Sequence, residues 1–180
     1  MRIIGADACK GRLVYCVLDS ENMPKDLQLY SLNGDNFFEA HSSAYGLKQL
    51  LEHKPDAIAI EPTGVNYTRL WVRQMSQAGV KVMLVGHAQL RSYRKNLDLP
   101  DKDDPADALA LGAYCAEHHA KPQKFVLVRD DVTANLRETA LRLGHLVRLQ
   151  SPMINRLKQD LCYAFPERAD TNTNAPLFWR

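Results

Sequence analysis

Asp56-Ala57-Ile58-Ala59-Ile60-Glu61 is the stretch that decides the fold of this 180-residue chain. Its central residues are apolar without alternation, which is typical of a strand covered on both faces in a sheet flanked by helices. Glu61 ends the strand, and Pro62-Thr63-Gly64 lets the backbone turn into an amphipathic helix over residues 65–77. The stretch therefore predicts a strand, turn and helix at the centre of an α/β sheet, with an acid at the strand end.

Three strands are predicted before this unit. Residues 2–7 and 13–18 are short apolar runs joined by the tight turn Cys9-Lys10-Gly11, and they predict a β-hairpin. Residues 26–32 alternate apolar and polar side chains, which predicts a half-exposed strand at an edge of the sheet. Asp7 lies at the end of the first strand and is a candidate site residue, although a solvated strand end is a fair alternative.

The order of elements predicts the arrangement of the sheet. A helix capped by Ser43 and ending near His53 precedes the central strand, and residues 80–85 form the next buried strand. Antiparallel strands followed by helix–strand units are the element order of a ribonuclease H-like mixed sheet flanked by helices. In that order the first and fourth strands are neighbours, so we expect Asp7 to lie beside Glu61.

A second acidic stretch, Lys102-Asp103-Asp104-Pro105-Ala106-Asp107-Ala108, opens an Ala- and Leu-rich helix over residues 106–117. Asp104 and Asp107 are three residues apart and project from one side of a helix. Two anions facing one spot are most easily understood with a cation between them. An ordinary acidic helix start, with Pro105 at the first position, is the alternative, and this stretch alone leaves both open.

The preceding helix, residues 88–97, carries a basic ridge. Arg91, Arg94 and Lys95 stand at positions i, i+3 and i+4 and share one face. A solvated basic face is the plain alternative. Because the ridge leads directly into the acidic stretch, we favour a polyanion that binds here and runs past the carboxylates, with Lys102 steadying a phosphate.

The predicted sheet brings four acids to one edge, namely Asp7, Glu61, Asp104 and Asp107. Carboxylates without a thiolate or imidazole select hard cations, so we expect Mg²⁺ or Mn²⁺ rather than zinc. Two such ions about 4 Å apart can activate a water or a 3′-hydroxyl and stabilise the leaving oxygen of a phosphodiester. The four acids are therefore candidate catalytic residues and candidate metal ligands.

Past Arg129 the pattern becomes that of a coiled coil. Apolar and uncharged positions alternate four and three apart in a heptad seam: Leu136, Ala140, Leu143, Val147, Gln150, Ile154, Leu157 and Leu161. Ser151-Pro152 predicts a kink or a break in this helix. The expected division is a ribonuclease H-like catalytic domain over residues 1–128, a helical coiled-coil segment over 129–165, and a tail or truncated boundary over 166–180.

Composition narrows the classes of protein further. The chain is 46% hydrophobic with a net charge of +2, which indicates a folded protein and neither demands nor excludes nucleic acid. No apolar run reaches the roughly 20 residues that cross a bilayer, and Asp7 comes too early for a signal peptide. We therefore expect a cytoplasmic protein that does not bind membranes. Its four scattered cysteines are expected to be reduced and largely structural.

These motifs resemble the DEDD-type insertion-sequence transposases, relatives of the Piv-type DNA invertases and of RuvC-like Holliday-junction resolvases. The resemblance rests on Asp7, on Ile58-Ala59-Ile60-Glu61-Pro62-Thr63-Gly64-Val65-Asn66-Tyr67 and on the stretch from Lys102 to Ala108, and it extends over roughly residues 2–165. It implies a RuvC-like catalytic domain whose tetrad falls on Asp7, Glu61, Asp104 and Asp107. It also implies a coiled coil used for self-association as a dimer or tetramer, and a structured guide RNA that acts with the protein on DNA.

The chain departs from the family pattern in two places. Asp103 stands where the family commonly has a small hydroxyl residue, which adds negative charge and removes no ligand. The family also has a C-terminal domain with a serine that attacks DNA, and this sequence ends before it. We therefore expect either a fragment of a longer recombinase or a stand-alone relic that binds without completing recombination.

The sequence as a whole predicts the N-terminal domain of a DNA transposase or site-specific recombinase that cleaves and transfers strands with metal. A catalytically silent module for nucleic-acid binding and oligomerisation is the alternative, and absent metal binding would support it. An actin-like sugar or acetate kinase also begins with a hairpin bearing an aspartate. That class needs a Gly-rich second phosphate loop, which the sequence does not contain.

Overall fold

The computed structural model describes residues 1–21, 36–62, 67–99, 103–128 and 130–166. The chain divides into two compact units, Met1–Val128 and Arg129–Arg180. Three predicted features lie outside the described residues: the strand at residues 26–32, the phosphate contact Lys102, and the tail from residue 167 onward. None of the helices in these ranges is both long enough and apolar enough to cross a membrane.

The first unit is built on a mixed sheet. Its strands are β1 (Arg2–Cys9), β2 (Arg12–Asp19), β3 (Phe37–His41), β4 (Ala57–Ile60) and β5 (Lys81–Leu84). They lie in the order β3-β2-β1-β4-β5. β1 and β3 are antiparallel to β2, whereas β4 is parallel to β1 and β5 is parallel to β4. This order confirms the ribonuclease H-like mixed sheet that the element order predicted.

The helices of the described residues follow the predicted pattern. They are α1 (Ala44–Glu52), α2 (Tyr67–Gln77), α3 (His87–Asn96) and α4 (Asp104–His118) in the first unit, and α5 (Asp131–Ala164) in the second. The Ser43 hydroxyl accepts a hydrogen bond from the Gly46 amide at 3.1 Å, so the predicted N-cap of α1 is confirmed.

Strand β3 was not predicted from the sequence. It pairs with β2 from Cys16 opposite Phe37 to Arg12 opposite His41. Only Ala40 of its five residues is buried, so the strand lacks the apolar alternation by which edge strands are recognised. Pairing with β2, rather than a sequence pattern, makes this segment a strand.

Both faces of the sheet are covered, as the apolar central strand predicted. Ile4 and Ile58 pack with Leu50 of α1 and Trp71 of α2 in one cluster of buried side chains. On the opposite face, adjacent residues of β1 and β4 pack against α3 and α4. All of β4 is buried, which accounts for its continuous apolar run.

The part of the second unit that the structure describes, residues 130–166, contains the long helix α5. Of the kink or break predicted at Ser151-Pro152, the break is wrong. α5 continues for 34 residues with Pro152 in its interior. A proline removes one backbone hydrogen bond from a helix, and one lost bond does not end so long a run. The Arg148 Nε, one turn earlier, donates to the Gly144 carbonyl at 3.2 Å.

Candidate active site

The acid-bearing helix α4 crosses the sheet at a close contact between two glycines. A Cβ placed on Gly5 of β1 would lie 2.1 Å from the Ala108 carbonyl oxygen and 2.5 Å from the Gly112 nitrogen. A Cβ on Gly112 would in turn lie 3.2 Å from the Gly5 Cα. Because only glycine allows backbones to approach this closely, these two residues set the position of α4 on β1, and Asp7 follows Gly5 on the same face.

The four predicted acids converge where β1 and β4 end. Glu61 directly follows β4, which is parallel to β1, and its backbone carbonyl accepts a hydrogen bond from the buried Thr68 hydroxyl at 2.8 Å. Burial, followed by the charges of Asp107, Asp104 and Glu61, raises the pKa of Asp7 from 3.8 to about 6. The Asp7 carboxylate therefore interacts with Glu61, which follows β4, and with Asp104 and Asp107 in the first turn of α4.

Arg94 of α3 contacts Asp107 within this group. Its Nη1 lies 2.6 Å from Asp107 Oδ1, and the two side chains are only 15% and 20% exposed. Burial raises the pKa of Asp107, the Arg94 charge opposes that rise, and Glu61 and Asp104 add to it. The net direction is upward, so the arginine offsets only part of the cost of placing this carboxylate here.

Two further basic side chains contact the other acids. Arg12 Nη2 lies 3.5 Å from Asp104 Oδ2, and its other amino group lies 3.4 Å from Glu39. Both partners of the Arg12–Asp104 pair are nearly half exposed, so solvent weakens this interaction. The His87 Nδ1 contacts Glu61 Oε1. Three of the four acids thus have a basic partner.

The donor set fits a hard divalent cation. No three Asp, Glu, His or Cys side chains among the described residues are close enough to hold a metal ion as they stand. Four carboxylates nevertheless supply only oxygen ligands, which Mg²⁺ and Mn²⁺ prefer. Burial, and after it the negative charges of the other three acids, raises the pKa of Asp7, and a divalent cation would neutralise those charges. The chemistry of the four carboxylates therefore suits a divalent metal, while basic side chains contact three of them in this structure.

The residues predicted to bind nucleic acid differ in their exposure to solvent where the structure describes them. Arg91 and Lys95 are exposed on α3, whereas Arg94 contacts Asp107. The helical spacing indicated that Arg91, Arg94 and Lys95 lie near one another on α3. It did not indicate that Arg94 contacts Asp107 of the neighbouring helix α4. Lys102 lies outside the described residues.

Sequence reasoning missed the basic residues at the site. His87 begins α3 just beyond β5, the neighbour of β4, so its position after a strand end was an available signal. Arg12 begins β2 and pairs with Cys9 in the hairpin register, two residues from Asp7. For Arg94 the sequence offers no such signal, because its partner depends on how two helices pack.

Architecture and site together define a class of protein. A mixed sheet in the order β3-β2-β1-β4-β5, with carboxylates at the ends of its central strands and at the start of α4, defines a ribonuclease H-like protein with an acidic site. The sequence matches the model of a transposase family, the DEDD transposases of the IS110 type, over residues 4–166. The chain belongs to this family, which places it among proteins that cleave and transpose DNA.

Comparison with solved structures finds RuvC from Thermus thermophilus. The structure of RuvC alone is 18% identical, and the complex of RuvC with a Holliday junction substrate is 16% identical. Each match covers 71% of this chain and 100% of the RuvC chain, with a TM-score of 0.47. No curated protein sequence matches the chain.

Proposed function

We propose that Asp7, Glu61, Asp104 and Asp107 hold Mg²⁺ or Mn²⁺, and that this domain cleaves and transfers DNA strands with the bound metal. The observation that carries the proposal is the interaction of the Asp7 carboxylate with the other three. An ordinary acidic helix start would explain two of these acids. It would not explain why acids from β1 and from the end of β4 are brought to the same place at an electrostatic cost.

Each element has a separate part in the proposed mechanism. The strands provide Asp7 and Glu61 on a rigid base, and the first turn of α4 provides Asp104 and Asp107, whose charges the positive end of the helix dipole favours. The four acids would hold a divalent cation, which would supply activation of a water or a 3′-hydroxyl and stabilisation of the leaving oxygen of the phosphodiester. The close crossing at Gly5 keeps the two pairs of acids in register.

We propose DNA as the substrate and the exposed Arg91 and Lys95, with Lys102, as contacts for its backbone. Arg91 and Lys95 are exposed on α3, and Lys102 precedes α4 in the sequence, so we expect a phosphate chain that they hold to pass the acids. A structured guide RNA is a second candidate ligand of the same basic residues. It follows from the resemblance of the motifs to transposases that work with RNA.

We propose that α5 mediates self-association as a coiled-coil dimer or tetramer. Leu136, Leu143 and Leu157 of the heptad seam are each more than half exposed. A helix with a regular apolar seam gains stability when a second helix covers that seam.

We also propose that the protein acts in the cytoplasm, on cellular DNA.

The test is a calorimetric titration of Mn²⁺ into the 180-residue chain, with a branched DNA incubated alongside. We expect binding and metal-dependent cleavage by the wild type, and loss of both in the double variant Asp104→Asn, Asp107→Asn. The matched control is Asp98→Asn, Asp160→Asn, which removes two exposed carboxylates and should leave metal binding intact. A folded wild type that binds neither Mn²⁺ nor DNA would overturn the proposal and leave an assembly module whose acid pair caps a helix.

A further inference from the structure

We propose that Arg94 is a positioning residue that occupies Asp107 in the absence of metal and competes with the divalent cation for it. The inference rests on the proposed metal site. It assigns to Arg94 a role different from that of its neighbours on α3. Arg91 and Lys95 are exposed and available to a polyanion, whereas the Arg94 guanidinium forms an ion pair with Asp107.

The Arg94–Asp107 contact is a close ion pair whose alignment is not that of a hydrogen bond. The two residues belong to different helices, α3 and α4, and the atoms Nη1 and Oδ1 are 2.6 Å apart. Both side chains are mostly shielded from solvent. By contrast, Arg156 and Asp160 pair within one exposed helix at 3.2 Å, where solvent and side-chain entropy make ion pairs weak.

Charge explains why such a partner is useful before metal arrives. Asp104 and Asp107 lie in the first turn of α4, and Asp7 and Glu61 lie near the ends of neighbouring parallel strands, so the ionised acids repel one another. Arg94 places a positive charge 2.6 Å from Asp107 Oδ1 and offsets part of this repulsion. A guanidinium that cannot lose its proton gives the site part of the positive charge that a divalent cation would otherwise supply.

The same charge must weaken metal binding. A divalent ion bound to Asp107 would lie within a few ångströms of the guanidinium, and the two cations repel. Even at the dielectric constant of water, one and two charges about 5 Å apart repel enough to change an equilibrium constant about tenfold. Arg94 must therefore leave the carboxylate, or share it, when the metal binds.

The experiment is a calorimetric Mn²⁺ titration without nucleic acid on the wild type, Arg94→Gln and Arg94→Lys. We expect Arg94→Gln to bind Mn²⁺ about tenfold more tightly at pH 8, because the competing charge is gone. Arg94→Lys keeps the charge and should stay close to the wild type. The control is Lys81→Gln, which removes an exposed positive charge and should leave the affinity unchanged. Lys81 begins β5 and pairs with Ala57 at the start of β4, whereas Glu61 follows the other end of β4.

A second measurement separates competition from a loss of folding. In EDTA we expect Arg94→Gln to have a lower Tm than the wild type, because its acids are less compensated. Saturating Mn²⁺ should then raise the Tm of the variant more than that of the wild type. If Arg94 had only a packing role, Arg94→Gln would lower the Tm in EDTA and the Tm in saturating Mn²⁺ by the same amount.

The possible outcomes distinguish this inference from the proposed function. Equal or weaker Mn²⁺ binding by a folded Arg94→Gln, with binding by the wild type, would overturn the role of Arg94 and leave the metal site standing. Binding by Arg94→Gln but not by the wild type would support strong competition. Absence of binding by both chains would overturn the inference together with the metal site on which it rests.

Discussion

Asp7→Asn should stabilise the metal-free protein at pH 8. The pKa of Asp7 is about 6 in the folded chain against an ordinary value of 3.8, so folding favours the protonated form. The stability that this group contributes is therefore greatest at low pH and is lost as the pH rises from 3.8 to 6. The two pKa values differ by about two pH units, each worth about 1.4 kcal/mol, so about 3 kcal/mol is the upper bound for the cost of ionised Asp7 at pH 8. Solvent reaches this half-buried side chain and screens its charge, so we expect a cost of about 1–2 kcal/mol.

Asparagine has nearly the same shape and no charge at any pH, so the variant does not pay this cost. We expect urea denaturation in EDTA to give a gain of about 1–2 kcal/mol at pH 8, falling to less than about 1 kcal/mol at pH 4.5. Asp98→Asn, at an exposed position, is the control and should change stability by less than about 0.5 kcal/mol. A gain from Asp7→Asn that does not depend on pH, or a loss at pH 8, would refute the reasoning. Mn²⁺ should bind Asp7→Asn poorly. Asp7 would then be a residue that lowers the stability of the metal-free protein but is needed to bind the metal.

Two further substitutions test how the fold positions the site. Gly5→Ala would place a methyl group 2.1 Å from the Ala108 carbonyl oxygen and should cost about 1–3 kcal/mol in urea denaturation, whereas Gly144→Ala, with no atom within 4 Å, should gain up to about 1 kcal/mol; equal effects would mean that α4 does not depend on the close crossing. Pro152→Ala should restore a backbone hydrogen bond in α5 and stabilise the helix by up to about 3 kcal/mol. The thermal midpoint of the helical circular dichroism signal should therefore rise. A lower midpoint would show that the proline is needed where it stands.

The central part of the fold was predictable because it depends on local patterns. A continuous apolar run predicts a doubly covered strand, and Ser43 with its hydroxyl cap marks the start of a helix. Strand order then followed from the order of elements, and it placed Asp7 beside Glu61. β3 was not predictable in this way, since its exposed edge position leaves only one residue buried.

The sequence by itself determined which acids lie at strand ends and at the first turn of α4, because those positions follow from periods of two and of 3.6 residues. Only the tertiary structure decided what these acids contact. Helical spacing tells which residues share a face with Arg94, but not that α4 brings Asp107 against that face. The contact of Gly5 with the α4 backbone likewise joins segments about a hundred residues apart in the chain. Interactions between distant segments depend on packing and shape, so no local pattern in the sequence records them.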